Sequence, residues 1–165
     1  MLYPGPLFRY NWQVRQEWFR LLADVPEGEL TRPRKGGYGS ILRTLCHIVL
    51  VEQGWIRELL GIPEVRDEED AFPSLAEVER LSEECRSDVE RFIDEWDAGT
   101  GARIFETVEK GRHFRFTYEE VAAHVIAHEI HHAGQISVWA REIGIKPPSA
   151  NVIQRGLYGT KKTEV

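Results

Sequence analysis

Apolar residues recur at helical spacing in four long stretches of the chain. The stretches predict helices over about 7–25, 40–60, 74–96 and 118–143. The second stretch is apolar around most of its circumference, which is typical of a buried helix, whereas the third has one apolar stripe and an acidic remainder. We therefore predict an all-α protein, a four-helix bundle. An all-α domain with more oblique helix packing is the alternative.

Local signals mark the ends of these helices. Ser40 is a plausible N-cap, and Ser74-x-x-Glu77 and Thr117-x-x-Glu120 have the form of capping boxes. Gly61 and Gly144 follow the second and fourth stretches, where a helix commonly stops. The four helices are thus delimited by the sequence as well as by its periodicity.

The connecting segments differ in character. Residues 26–39 are rich in glycine and proline and predict a loop without a regular element. Its basic cluster of Arg32, Arg34 and Lys35 is interpreted as solvated, with an anion site as the alternative. Residues 61–73 predict a second loop. Aromatic and β-branched residues within 102–117 flank a glycine-containing turn, which indicates a short β-hairpin before the last helix. The tail after the last helix is expected to dock on the bundle and fray at its charged end.

Composition narrows the class of protein. The chain has 165 residues, of which 42% are hydrophobic and 29% charged, as expected of one folded domain spanning 1–165. A net charge of −6 argues against a nucleic-acid partner. No apolar run approaches the roughly 18 residues of a membrane span, and no secretion signal is recognised. Two cysteines at no metal-like spacing fit a reducing compartment, so we expect a cytoplasmic protein.

Four of the six histidines lie between positions 124 and 132. His128 and His132 are four residues apart in the apolar stripe of the last predicted helix, and such a pair can hold one metal ion. A third ligand must come from another helix, and His47 in the buried second helix is the candidate. His124 and His131 lie beside the stripe and are interpreted as outer or surface residues.

A metal ion would also provide a partner for the polar nitrogens of buried histidines. Buried imidazoles need hydrogen-bond partners, and an unpaired polar group costs roughly 1–3 kcal/mol. One ion would supply a partner to all three rings, whereas ordinary hydrogen bonding is the alternative. Gln135 could reach the pocket or brace the site, and Glu52 could support a ligand histidine or be an ordinary interhelical carboxylate. His113, in the predicted hairpin, has no assigned role.

Residues 128–132 also match H-E-x-x-H, in which zinc proteases use both histidines as ligands and the glutamate as general base. The chain after His132 contains no further histidine, and Glu142 lies too far along the same helix to be a third ligand. We therefore disfavour a protease.

Two segments resemble the DinB (damage-inducible, YfiT-like) family of bacterial four-helix-bundle proteins. Residues 39–48, GSILRTLCHI, are similar to its second helix, and residues 128–136, HEIHHAGQI, are similar to its last helix, with Ala133 where arginine is frequent. The resemblance implies one divalent ion, typically nickel or zinc, held by His47, His128 and His132. It also implies homodimers, and a family that includes transferases dependent on bacillithiol or mycothiol and a mycothiol-dependent isomerase.

Three neutral ligands leave an open position on the ion and preserve its charge. Such an ion lowers the pKa of a bound water toward about 7 or binds a thiol as thiolate. We expect a divalent-metal-dependent enzyme acting on small molecules, with thiol S-transfer ahead of hydrolysis and Trp139 as a wall for the electrophile. A non-catalytic, stress-associated metal-binding protein with a closed site, in which His124 or His131 could be a fourth ligand, is the alternative from another class.

Overall fold

The computed structural model describes residues 3–63, 65 and 74–159. It is mostly helical, with a two-stranded antiparallel hairpin before the last helix, so the predicted fold class is confirmed. The helices are α1 (Gly5–Leu22), α2 (Glu27–Leu30), α3 (Ile41–Leu60), α4 (Leu75–Asp94) and α5 (Tyr118–Glu142), and the strands are β1 (Ile104–Glu109) and β2 (Arg112–Thr117). Within the described ranges, no helix is both long enough and apolar enough to cross a membrane.

The predicted caps form. The Ser40 hydroxyl accepts from the backbone N–H of Arg43, and Gly61 ends α3 in the left-handed conformation at φ 69°. Thr117 and Glu120 make a reciprocal capping box at the start of α5. These contacts fix the beginnings of the two helices that carry the predicted metal ligands.

The N-terminal part of the fold differs from the prediction in the end of its first helix and in one additional helix. Helix α1 ends at Leu22 rather than near Val25. The expectation that residues 26–39 hold no regular element is wrong, because α2 forms one turn there, with the N–H groups of Glu29 and Leu30 donating to the Pro26 carbonyl. Leu30 is 3% exposed, and the burial of its side chain stabilises the turn.

Helix α3 packs against both α4 and α5, as its apolar circumference predicts. Fewer apolar side chains of the tail are buried against the bundle than expected. Val152 and Leu157 pack against the core, but Ile153 is 81% exposed and Tyr158 60% exposed. The charged end of the tail and most of the 61–73 loop lie outside the described residues.

The hairpin is closed by Lys110 and Gly111, whose φ angles of 49° and 76° are both positive. This is the form of two-residue turn that matches the twist of the paired strands. Phe105 and Phe116 face each other across the strands. Both rings lie edge-on to Trp55 of α3, at centroid distances of 6.4 and 6.1 Å, and they dock the hairpin on the bundle.

Candidate metal centre

His47 on α3 and His128 and His132 on α5 converge at one point. One ligand nitrogen of each ring lies within 4.8 Å of the other two, and the Nε2 atoms of His47 and His128 are 2.9 Å apart. A tetrahedral zinc ion, with Zn–N bonds of about 2.0–2.1 Å, needs nitrogens about 3.3 Å apart. The separation of 2.9 Å is slightly shorter than this value, and all three ligand atoms lie within 4.8 Å of one another, so the three side chains could hold a metal ion.

The three rings are neutral at pH 7. Burial, with His132 nearby, lowers the pKa of His47 to about 4 from its ordinary value of 6.5. Burial and the neighbouring histidines lower the pKa of His128 to about 3. Burial also lowers the pKa of His132. Neutral imidazole is the form that binds metals, because its unprotonated nitrogen carries the donor lone pair.

Gln135 orients His132. Its Oε1 accepts a hydrogen bond from His132 Nδ1 at 2.7 Å, which leaves His132 Nε2 free of a proton. Gln135 Nε2 donates to His131 Nε2 at 3.0 Å. Gln135 therefore braces the site, which is one of its two expected roles, and His131 is an outer residue.

The loop before α3 covers the cluster. The Tyr38 ring stacks on His47 with centroids 3.4 Å apart and meets His132 edge-on at 5.7 Å. Gly37 has φ +52°, and a Cβ atom there would lie 2.7 Å from both Gln135 Oε1 and Trp139 Cη2. Sequence reasoning missed this cover. The glycines that flank Tyr38 immediately before a helix start were the available signal.

Ion pairs of Arg34 anchor part of the same loop to two helices. The Arg34 side chain is only 6% exposed and pairs with Glu29 at 3.2 Å and Glu142 at 2.6 Å. The interpretation of the basic cluster as solvated is therefore wrong for Arg34, although Arg32 is 61% exposed. These ion pairs join the loop to α2 and to the end of α5.

A buried polar network lies behind the site. The Arg15 guanidinium donates from Nη1 to Glu52 Oε1 and from Nε to Glu129 Oε1, both at 2.8 Å. Trp12 Nε1 also donates to Glu52, and Arg15 Nη1 donates to Ser82. Glu52 is thus the interhelical carboxylate rather than a support for a ligand histidine. Arg15 was missed, although it occupies an apolar-stripe position of α1 between Trp12 and Phe19.

Glu129 belongs to this network and does not take part in the predicted metal site. Its carboxylate is 4% exposed and is bound by Arg15. Burial raises the Glu129 pKa, an effect that Arg15 opposes. The glutamate of the H-E-x-x-H match therefore does not face the histidine cluster as a general base, in agreement with the rejection of a protease.

The other predicted residues lie around the cluster. His124 is exposed, with its ring 5.7 Å from that of His128, and His113 is exposed on β2. Trp139 is 5% exposed beneath Gly37, so it does not form the expected open wall. The half-exposed aromatic wall next to the histidines consists of Trp55 and Phe116 instead.

Comparisons with known proteins agree with this fold. The chain is 36% identical to the uncharacterized protein YizA of Bacillus subtilis (strain 168), over 91% of this chain and 94% of that protein. The crystal structure of a DinB-like protein from Bacillus cereus ATCC 10987 has a TM-score of 0.64 at 21% identity, covering 87% of this chain and 95% of that one, and shows the shared fold. The model of the DinB family matches residues 1–157. The chain belongs to the DinB family.

Proposed function

We propose that the protein is a divalent-metal-dependent enzyme that joins a small bacterial thiol, of the bacillithiol or mycothiol kind, through its sulfur to small electrophiles. In this proposal His47, His128 and His132 hold one nickel or zinc ion. The observation that supports it most strongly is the convergence of three neutral imidazoles within 4.8 Å.

The ion would act as a Lewis acid that lowers the pKa of a bound thiol or water, so that either would lose a proton at neutral pH. The protein's own residues hold and shield the site. Gln135 keeps the proton of His132 on Nδ1. Tyr38 covers one face of His47 and limits the approach of water from that side.

The surroundings favour a thiol over water as the nucleophile. Hydrolysis commonly uses a carboxylate as general base. The two carboxylates of α3 and α5 that the sequence places nearest the ligands, Glu52 and Glu129, are both engaged by Arg15. A thiol needs no such base once its pKa is lowered, because the thiolate is itself the nucleophile.

Metal content and activity test the proposal together. The purified chain should carry about one nickel or zinc ion, and His47→Ala, His128→Ala and His132→Ala should each largely abolish binding. His113→Ala is the matched control, because this histidine is exposed on β2. If the His47→Ala variant still carried about one metal ion per chain, the proposed ligand set would be wrong.

The loaded protein should conjugate a bacterial thiol to a model electrophile, and the His128→Ala variant should not. Activity that survives chelation would overturn the mechanism. Metal-dependent ester or amide hydrolysis without thiol transfer would establish the hydrolase instead. Neither activity, with the ion retained, would establish a non-catalytic metal-binding protein. The expected homodimer and cytoplasmic location stay predictions of the sequence.

A further inference from the structure

A cleft of about 340 Å³ opens between α3, α5 and the hairpin. Its lining, which we call the hairpin cleft, consists of Trp55, Phe116, Glu120, Val121 and His124. Ligand sites for small molecules commonly measure about 300–1,000 Å³ and are mostly apolar. The hairpin cleft is at the lower end of this range, so it suits a group of one or two rings rather than a peptide.

His124 lies between the cleft and the histidine cluster. His124 precedes His128 by one helical turn, a rise of about 6 Å. The His124 ring lies 5.7 Å from that of His128 and 5.9 Å from that of Trp55. A molecule seated against Trp55 would therefore have its near end one turn from a predicted metal ligand.

The walls of the cleft are held in place by aromatic contacts with each other and with rings outside the cleft. Trp55 meets Phe105 and Phe116 edge-on, and Phe116 stacks on Phe114 at 6.0 Å. Phe114 and Phe105 do not line the cleft. The pocket is thus preformed by the hairpin, which limits the ordering cost of binding.

One charged group faces the cleft. Glu120 accepts hydrogen bonds from the backbone N–H and the hydroxyl of Thr117, at 2.8 and 3.0 Å. These bonds lower the Glu120 pKa, so the carboxylate is ionised at neutral pH. An anionic ligand would be repelled, whereas an uncharged aromatic body would not.

We propose that the hairpin cleft binds the uncharged aromatic body of the substrate, with the reactive end of the molecule directed toward His128. This rests on the proposed function for the identity of the reaction. Binding in the cleft itself needs no metal, and the two ideas can therefore fail separately.

The test is a fluorescence titration with the uncharged dye N-phenyl-1-naphthylamine, on metal-free and zinc-loaded protein. The Kd should agree within about twofold between the two forms. Phe116→Ala should raise it about tenfold, because one aromatic wall is lost. His113→Ala, on the same strand but exposed and outside the lining, should change it less than twofold. Equal Kd values for the two variants would overturn the proposal.

A charge variant keeps the test valid if Phe116→Ala disturbs the hairpin. Glu120→Gln preserves a side chain suited to the capping box. It should tighten binding of the anionic dye 8-anilino-1-naphthalenesulfonate at least threefold and leave the uncharged dye unchanged. Glu119→Gln, one residue away and outside the lining, is the control. Equal effects of Glu119→Gln and Glu120→Gln would place the dye elsewhere and refute the cleft. Metal loss in either variant would bear on the proposed function alone.

Discussion

At the scale of single residues, Gly37 and Gln135 set the orientation of the His132 ring. The Gln135 amide oxygen accepts from His132 Nδ1, and the Gly37 backbone lies against the same amide. Outer partners of this kind typically change metal affinity by about 10–100-fold when they are lost. A glycine that contacts no ligand therefore acts on the site through one hydrogen bond.

Gly37→Ala should weaken zinc binding about tenfold, because its Cβ would displace Gln135 Oε1 and Trp139 from positions 2.7 Å away. The measurement is a zinc titration against a competing chelator. Gly36→Ala is the matched control, since Gly36 also has a positive φ, +84°, but nothing lies within 4 Å of its Cβ position. If the two variants bind zinc equally well, the amide does not position His132.

The convergence of the three histidines was predictable, whereas the loop that covers them was not. Helical periodicity alone places His128 and His132 on one buried face, and only one histidine occurs in the buried helix α3. Gly37 and Tyr38 reach the site through a loop with positive φ angles, and no periodicity predicts where such a loop returns. Arg15 could have been found, since a charged residue in an apolar stripe implies a buried partner.

At the scale of elements, Arg15 joins four helices. It lies on α1 and bonds to Glu52 on α3, Ser82 on α4 and Glu129 on α5. Arg15, Glu52 and Glu129 are 2%, 2% and 4% exposed. Removing one member of a buried charge group leaves uncompensated charge and typically costs about 3–5 kcal/mol.

Arg15→Met should therefore lower the free energy of unfolding by about 3–5 kcal/mol, as measured by urea denaturation. Arg80→Met is the control, since Arg80 also pairs with a glutamate, Glu84, but is 63% exposed. An exposed pair contributes about 0–1 kcal/mol. Similar losses in both variants would mean that the buried group adds nothing specific.

Element types and caps were predictable because periodicity and capping residues are local signals. The exception, α2, is a single turn whose formation depends on burying Leu30 against the core. A four-residue pattern carries too little periodicity to reveal such a tertiary contact.

At the scale of the whole molecule, the histidine cluster makes the metal-free protein sensitive to acid. The unfolded chain binds protons at these histidines near pH 6.5, but the folded chain does so only near pH 4 at His47 and pH 3 at His128. Between these values the unfolded state holds more protons. The cluster's contribution to stability is therefore complete above about pH 6.5 and is lost as the pH falls toward 3.

In the presence of a chelator, the melting temperature of the wild-type protein should fall more steeply between pH 6.5 and 4 than that of His128→Ala. The variant lacks His128, whose pKa of about 3 is lower than the value of about 4 for His47, so its unfolding takes up one proton fewer. His113→Ala, exposed on β2, should retain the wild-type slope. Parallel slopes for wild type and His128→Ala would contradict neutral burial of the cluster.

The separation of the ligands along the chain has a consequence for biosynthesis. His47 and His128 are 81 positions apart, and α5 supplies two of the three imidazoles. A ribosome that has translated only the first four helices has exposed a single member of the set, which cannot chelate an ion. If the three histidines bind an ion as proposed, binding would wait until α5 has been made and has docked, and occupancy by the ion would distinguish chains that contain α5 from shorter ones.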